Sequence, residues 1–143
     1  MKTSYRPATA DDLELTYRIK SNSLKPYIEE VWGWNEDFQQ EFHKKNFNPK
    51  NIQIILLNNT PLGYLESEDK ENTLFIYNLL IDKSFQNKGI GTGILTILID
   101  DAFAQKKTVQ LEVLKVNTRA KQLYQRLGFK LIGENKTKFI LAL

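Results

Sequence analysis

Residues 85–93, FQNKGIGTG, place Gly89, Gly91 and Gly93 within five positions, directly after the hydrophobic run LFIYNLLI. Glycine loses more conformational freedom on folding than any other residue. A concentration of it between a strand signal and a helix signal therefore asks for bare backbone. At a helix start, bare backbone offers unpaired N–H groups and the positive end of the helix dipole, which together accept phosphate oxygens. A glycine-rich tight turn is the alternative reading. Two phosphate motifs are excluded by spacing. A P-loop needs GxxxxGK followed by Ser or Thr, and no glycine here precedes such a pair. The dinucleotide pattern GxGxxG also fails, because its last position is Ile94 counted from Gly89 and Thr96 counted from Gly91. What stands is Gln86-x-x-Gly89-x-Gly91.

Composition narrows the remaining chemistry. The chain has no cysteine and a single histidine, His43. Disulfides, thiolate ligands and a cysteine nucleophile are out, and a histidine metal site or serine–histidine pair is not expected. No metal is predicted. His43 reads as a helix-surface residue. The net charge of +3 fits an anionic ligand. No basic stripe interleaved with aromatics appears, so nucleic acid is not an expected partner. No apolar run approaches the roughly 20 residues of a membrane span. The opening MKTSYRPATADD lacks the apolar stretch of a signal peptide, and the expectation is a cytoplasmic protein.

The elements that must position the loop follow from periodicity. SYRPAT reads as an edge strand, since Pro7 cannot donate to a central ladder. Thr9 or Asp11 caps a helix through Leu13, Leu15, Tyr17 and Ile19, which Pro26 is expected to interrupt. NEDFQQEFHKKNF begins on a capping asparagine and repeats Phe38 and Phe42 at helical spacing. NIQIILLN and TPLGYLESE form a hairpin around residues 58–61, and TLFIYNLLID is a third strand with the apolar continuity of one buried on both faces. After the glycine loop come a helix to about Lys106 and a strand, TVQLEVLKV. An amphipathic helix follows, with Ala120, Leu123, Tyr124 and Leu127 on one stripe and Gly128 as its stop. Two short strand signals close the chain. The sum is one α/β domain, residues 1–143, with a mixed sheet.

The segment Gln86-Asn87-Lys88-Gly89-Ile90-Gly91 resembles the Q/R-x-x-G-x-G/A acyl-CoA motif of the GNAT family of N-acetyltransferases. LYQRLGF resembles the late segment of that family, in which a tyrosine precedes a glycine–phenylalanine pair, and RPATADDLE resembles its common opening. The strands and helices between them come in the family's order, and the likeness is densest from Leu74 to Phe129. It implies a single-domain GNAT-like fold: a central mixed, mostly antiparallel sheet flanked by helices, with splayed strands that open an acyl-CoA cleft.

The resemblance further implies an enzyme that moves an acetyl group from acetyl-CoA to a primary amine by direct attack. Residues Gln86, Asn87, Lys88, Gly89, Ile90, Gly91, Thr92 and Gly93 would hold the pyrophosphate of coenzyme A. The backbone around Leu80 and Ile81 would pair with its pantetheine arm, and an amide near Leu80 would take the oxyanion. Tyr124 would protonate the departing thiolate, although on its own stripe it reads equally as a core aromatic. Asn117 would bond the cofactor arm, cap the last helix, or both.

Many members of the family carry a glutamate on the strand before the loop. This chain has Asn78 there, which cannot accept a proton but can position a water or the substrate. Glu30, Glu66 and Glu112 remain as carboxylate candidates for the base. Trp32 and Trp34, beside Glu29, Glu30, Glu36 and Asp37, are the aromatic and acidic groups that suit a cationic acceptor. A packed aromatic cluster with a solvated acidic face is the alternative. A homodimer is compatible with the family's habits. The competing functional class is a non-catalytic acyl-CoA sensor of the same fold, suggested by the missing strand glutamate.

Overall fold

The computed structural model describes residues 2–143. Seven strands form one sheet in the order β1-β2-β3-β4-β5-β7-β6. They are β1 (Thr3–Pro7), β2 (Ile52–Leu57), β3 (Thr60–Lys70), β4 (Thr73–Ile81), β5 (Thr108–Leu114), β6 (Lys130–Glu134) and β7 (Lys138–Ala142). The four helices are α1 (Leu13–Trp32), α2 (Glu36–Asn46), α3 (Ile90–Ala104) and α4 (Thr118–Arg126). Most recorded pairings are antiparallel, and β4 with β5 is parallel, so the sheet is mixed as expected. The β4–β5 ladder runs from Thr73↔Thr108 to Ile76↔Leu111 and ends there, although β4 continues to Ile81 and β5 to Leu114. By internal contacts the chain divides into two compact units, Met1–Glu66 with Asn78–Ile90, and Ser67–Tyr77 with Gly91–Leu143.

In the first unit, β1 and β2 pair from Thr3↔Leu57 to Pro7↔Gln53, with Pro7 on the sheet edge. The β2–β3 turn has Asn58 at φ 52° and Asn59 at φ 66°, the left-handed pair that joins two twisted strands tightly. Ile19 from α1 packs with Ile52, Ile54, Tyr64 and Leu80 in one buried cluster. Thr9 caps the chain's entry into α1 through a reciprocal box with Asp12. Both carboxylate oxygens of Asp12 take guanidinium N–H groups of Arg6 at 2.9 Å. That bidentate bond holds the carboxyl below its ordinary range and ties β1 to the helix start.

Two expectations fail in this unit. The helix runs through Pro26 to Trp32 without ending. A proline removes one helical N–H, and the carbonyl four residues back belongs to exposed Asn22, where water can satisfy it. His43 is buried rather than on the surface: Nε2 lies 2.9 Å from Thr16 Oγ1, and the ring meets Tyr17 and Phe47. Phe38 and Phe42 are the residues left outside, stacked at 6.0 Å.

The second unit carries β5, β7 and β6, with Val109, Leu111, Val113 and Leu141 buried. The chain turns from β3 into β4 through Glu71 at φ 49° and Asn72 at φ 65°. Helix α4 ends as its sequence predicts. Gly128 adopts φ 103°, its N–H reaches Gln125 O, and the Phe129 N–H reaches Tyr124 O at 3.0 Å.

Candidate functional site

The end of β4 is fixed from three directions. The Gln86 side chain donates Nε2–H to Ile81 O at 2.8 Å, and Ser23 Oγ of α1 donates to the same oxygen at 2.8 Å. A carbonyl has two lone pairs, so these two donors fill it. Across the sheet, a Cβ added to Gly63 would fall on Leu80 O. Only glycine lets β3 come this close, and a glycine inside a strand signal is the cue for such an approach. Asp82 then closes the strand with its N–H on Leu62 O, while its carboxylate caps the turn at Ser84.

The loop leaves that anchor in a conformation few residues accept. Asn87 has φ 66° and Gly89 φ 77°, both left-handed, and α3 begins at Ile90. The first four N–H groups of any α-helix, counted from its cap residue, have no partner inside it; here they belong to Gly89, Ile90, Gly91 and Thr92. Gly93 is informative because nothing in the chain requires it. Its φ is not left-handed, and a Cβ there would meet no atom within 4 Å. Alanine would stabilise the helix by about 1 kcal/mol. The bare backbone keeps open a space that no protein atom fills. Lys88 stands exposed with Nζ 5.8 Å from the Phe85 ring.

Within the same unit, Asn78 donates Nδ2–H to Glu66 Oε1 at 2.8 Å. Glu66 is the register partner of Ile52, which places both on the face that α1 covers. Glu30 and Trp32 are exposed on the last turn of α1. Trp34 is half-buried; its Nε1–H donates to Glu36 Oε2 at 2.7 Å, and Lys25 Nζ lies 5.4 Å from its ring. Glu36 also accepts from Gln40 and Tyr17, and these bonds, Trp34 first, hold its carboxyl below the usual range. The tryptophan face expected to meet a cationic acceptor thus already carries the chain's own lysine.

In the second unit, Asn117 caps α4 by accepting the Ala120 N–H at 3.1 Å. Tyr124 lies on the inner stripe of α4, its ring 5.8 Å from Phe129 at 61°. Burial pushes its phenol above the ordinary tyrosine value. Among the described residues the hydroxyl has no hydrogen-bond partner, and it is not sealed from solvent. A phenol of this kind stays protonated at neutral pH and has its O–H free to donate. Glu112 on β5 is exposed, 3.6 Å from Lys138 Nζ.

Sequence reasoning singled out the loop, Asn78, Glu66, Asn117 and Tyr124. It missed Ser23, which carries no motif, and Gly63, whose signal was available. No cluster of metal-binding side chains occurs among the described residues, and no helix there is long and apolar enough to cross a membrane.

Comparisons with known proteins agree with this architecture. The chain is 32% identical over 71 residues to a probable spermine N(1)-acetyltransferase of Bacillus subtilis subsp. natto, covering 48% of this chain and 47% of that one. It is 40% identical over 70 residues to a [ribosomal protein bS18]-alanine N-acetyltransferase of Haemophilus ducreyi, with the same coverage. The chain spans about half the length of the curated relatives it matches. The fold is similar to that of the PaiA N-acetyltransferase of Thermoplasma acidophilum, a structure in complex with coenzyme A. That likeness has a TM-score of 0.80 at 16% identity, over 99% of this chain and 98% of the other. The model of the Acetyltransferase (GNAT) family matches residues 13–129, and the chain belongs to that family.

Proposed function

We propose that residues 1–143 form one N-acetyltransferase domain that moves an acetyl group from acetyl-CoA directly to a primary amine in the cytoplasm. The observation that carries the cofactor assignment is the start of α3. Four helix N–H groups without an intrahelical partner, from the left-handed Gly89 to Thr92, open α3, and Gly93 keeps an open space at the expense of helix stability. Such a cradle suits the pyrophosphate of coenzyme A, with Asn87 and Lys88 at its rim.

Gln86 acts through Ile81, bracing the loop against the strand rather than reaching for phosphate. Because Ile81 O already accepts two bonds, the pantetheine arm pairs with backbone N–H groups at the Leu80–Ile81 end of β4. Acetyl-CoA supplies the activated acyl group as a thioester. A backbone N–H near Leu80 takes the developing oxyanion, and Tyr124 gives its proton to the departing thiolate. Asn117 holds the first turn of α4 and so sets where Tyr124 stands.

The named relatives support two acceptor classes, a polyamine such as spermine and the N-terminal amine of a peptide beginning with alanine. Exposed Glu30 and Trp32 suit a cationic chain, with Trp34 as their packed neighbour in sequence.

The test measures melting with and without coenzyme A, and thiol release from acetyl-CoA with spermine or an alanine-initiated peptide. Wild type is expected to be stabilised by coenzyme A and to release thiol with one acceptor. Gly93→Ala is expected to melt higher without ligand and to lose most of the coenzyme A stabilisation. A Gly93→Ala variant that binds coenzyme A as tightly as wild type would remove the cradle from this account. Stabilisation with no turnover on either acceptor would turn it towards a sensor.

A further inference from the structure

We propose that Glu66 is the carboxylate that takes the proton from the attacking amine, and that Asn78 is its positioning residue. The inference rests on the transferase reading above and adds a base where the strand before the loop has none.

Three carboxylates are candidates by sequence, and their surroundings separate them. Glu112 is exposed, and its carboxylate is already engaged by the ammonium of Lys138 at 3.6 Å. Glu30 is exposed on the outside of a helix end. Glu66 is half-buried, on the sheet face that also carries Ile52, Ile54 and Tyr64. A single neutral donor, the Asn78 amide, holds its Oε1 at 2.8 Å. Among the described residues Oε2 has no partner. An amide fixes the direction of a carboxylate without adding the positive charge that would weaken it as a base. Lysine or arginine in the same place would fix it and weaken it together.

The position along the strand is also suitable. Asn78 precedes Leu80 by two residues, roughly 6–7 Å along β4. A base is effective within hydrogen-bond reach of the proton it takes, or at one water's remove. Tyr64, two residues back on β3, is a titratable neighbour on the same face. Burial first, and then the charge of Glu66, keep its phenol neutral.

In the step, the lone pair of the neutral amine forms the C–N bond and the carbonyl π pair moves onto oxygen. As the intermediate collapses the C–S bond breaks, sulfur takes the Tyr124 proton, and the surplus N–H proton passes to Glu66 Oε2. Glu66 returns a proton to water and Tyr124 regains one, so amide and thiol form with no other reactant.

The experiment follows kcat, KM and the coenzyme A melting shift from roughly pH 6 to pH 10. It uses whichever of spermine and the alanine-initiated peptide wild type acetylates, with Glu66→Gln, Asn78→Ala and Glu112→Gln compared. Glu66→Gln is expected to lose about 100-fold in kcat near pH 7 with the melting shift intact. Its deficit should shrink as pH rises, because hydroxide then takes the proton. Asn78→Ala should lose about tenfold in kcat with little change in acetyl-CoA KM, and Glu112→Gln should match wild type. Activity of Glu66→Gln within twofold of an active wild type, or an equal loss at every pH, overturns the assignment alone. A wild type that binds coenzyme A and acetylates neither acceptor overturns the transferase reading, and this assignment with it.

Discussion

Helices α2 and α4 are read by the same rules and behave in opposite ways. Each starts on an asparagine whose side chain accepts an N–H three residues on, Asn35 from Phe38 and Asn117 from Ala120. Both carry aromatic side chains, Phe38 and Phe42 in α2 and Tyr124 in α4. In α4 the aromatic is inside: Tyr124 packs on Phe129, which is itself 3% exposed. In α2 the aromatics are outside, with Phe38 60% and Phe42 46% exposed, while His43 is inside at 7%. Spacing states which residues share a face. It does not state which face has somewhere to go.

The inversion in α2 has a local cause. His43 finds the Thr16 hydroxyl on α1 and two aromatic edges, Tyr17 and Phe47, so a polar ring is satisfied in the interior. Phe42 covers itself in part with the stem of Lys20, whose Nζ lies 5.1 Å from the ring. In α4 no histidine competes, and the stripe of apolar residues goes inward as a hydrophobic stripe ordinarily does.

The contrast is open to direct attack. The largest effect is expected from Phe129→Ala, which removes a buried ring from beneath Tyr124 and should cost about 3–5 kcal/mol in denaturant unfolding. A loss below about 1 kcal/mol would mean that α4 is not anchored by this contact.

His43 comes next. Desolvation, followed by the nearby Lys20 charge, lowers its pKa from 6.5 to about 4. Between those values the unfolded chain binds a proton that the folded chain refuses, so stability falls as pH drops from about 6.5 to about 4. The full shift corresponds to about 3 kcal/mol. His43→Phe keeps a ring between Tyr17 and Phe47 and should flatten that part of the stability curve. The Arg6–Asp12 pair acts in a lower window, since a depressed carboxylate loses its contribution only as pH falls below the ordinary aspartate range. A curve equally steep in the variant would place the titration elsewhere.

Tyr124→Phe tests the other helix through chemistry rather than packing. The ring stays on Phe129 and no protein hydrogen bond is lost, so melting should hardly move. On the proposed function, turnover should fall on the order of 100-fold. Because burial raises this phenol's pKa, wild type should keep its proton donor beyond the pH at which an exposed tyrosine ionises. Unchanged turnover in the variant would leave Tyr124 as packing only.

The smallest effect belongs to Phe38→Ser. At 60% exposure the ring contributes little, and the change should cost about 0.5 kcal/mol or less. A loss several times larger would show that the outer face of α2 is covered in solution.

Much of the fold was legible because local chemistry and global structure agree. Pro7 marked an edge strand, the asparagine pair at 58–59 marked the hairpin, and Gly128 marked the end of α4. Pro26 misled because the cost of a missing N–H depends on whether water can reach the orphaned carbonyl, which is a property of the helix's surroundings. The glycine loop was legible as a bare-backbone element. The clamp behind it was not: Ser23 reaches Ile81 O across 58 residues of chain, and no local pattern announces that bond.

Sequence alone determined the order of elements, the left-handed turn positions, the helix caps and the glycines that expose the first amides of α3. Each is decided within a few residues by backbone sterics and local hydrogen bonds. Tertiary structure decided which face of α2 is buried, that Gln86 braces Ile81, and which carboxylate lies beside Asn78. Glu30, Glu66 and Glu112 are the same residue in a sequence. They differ only when the fold assigns each its neighbours, because packing across the sheet and not local sequence gives Glu30 solvent, Glu66 the Asn78 amide and Glu112 the Lys138 ammonium.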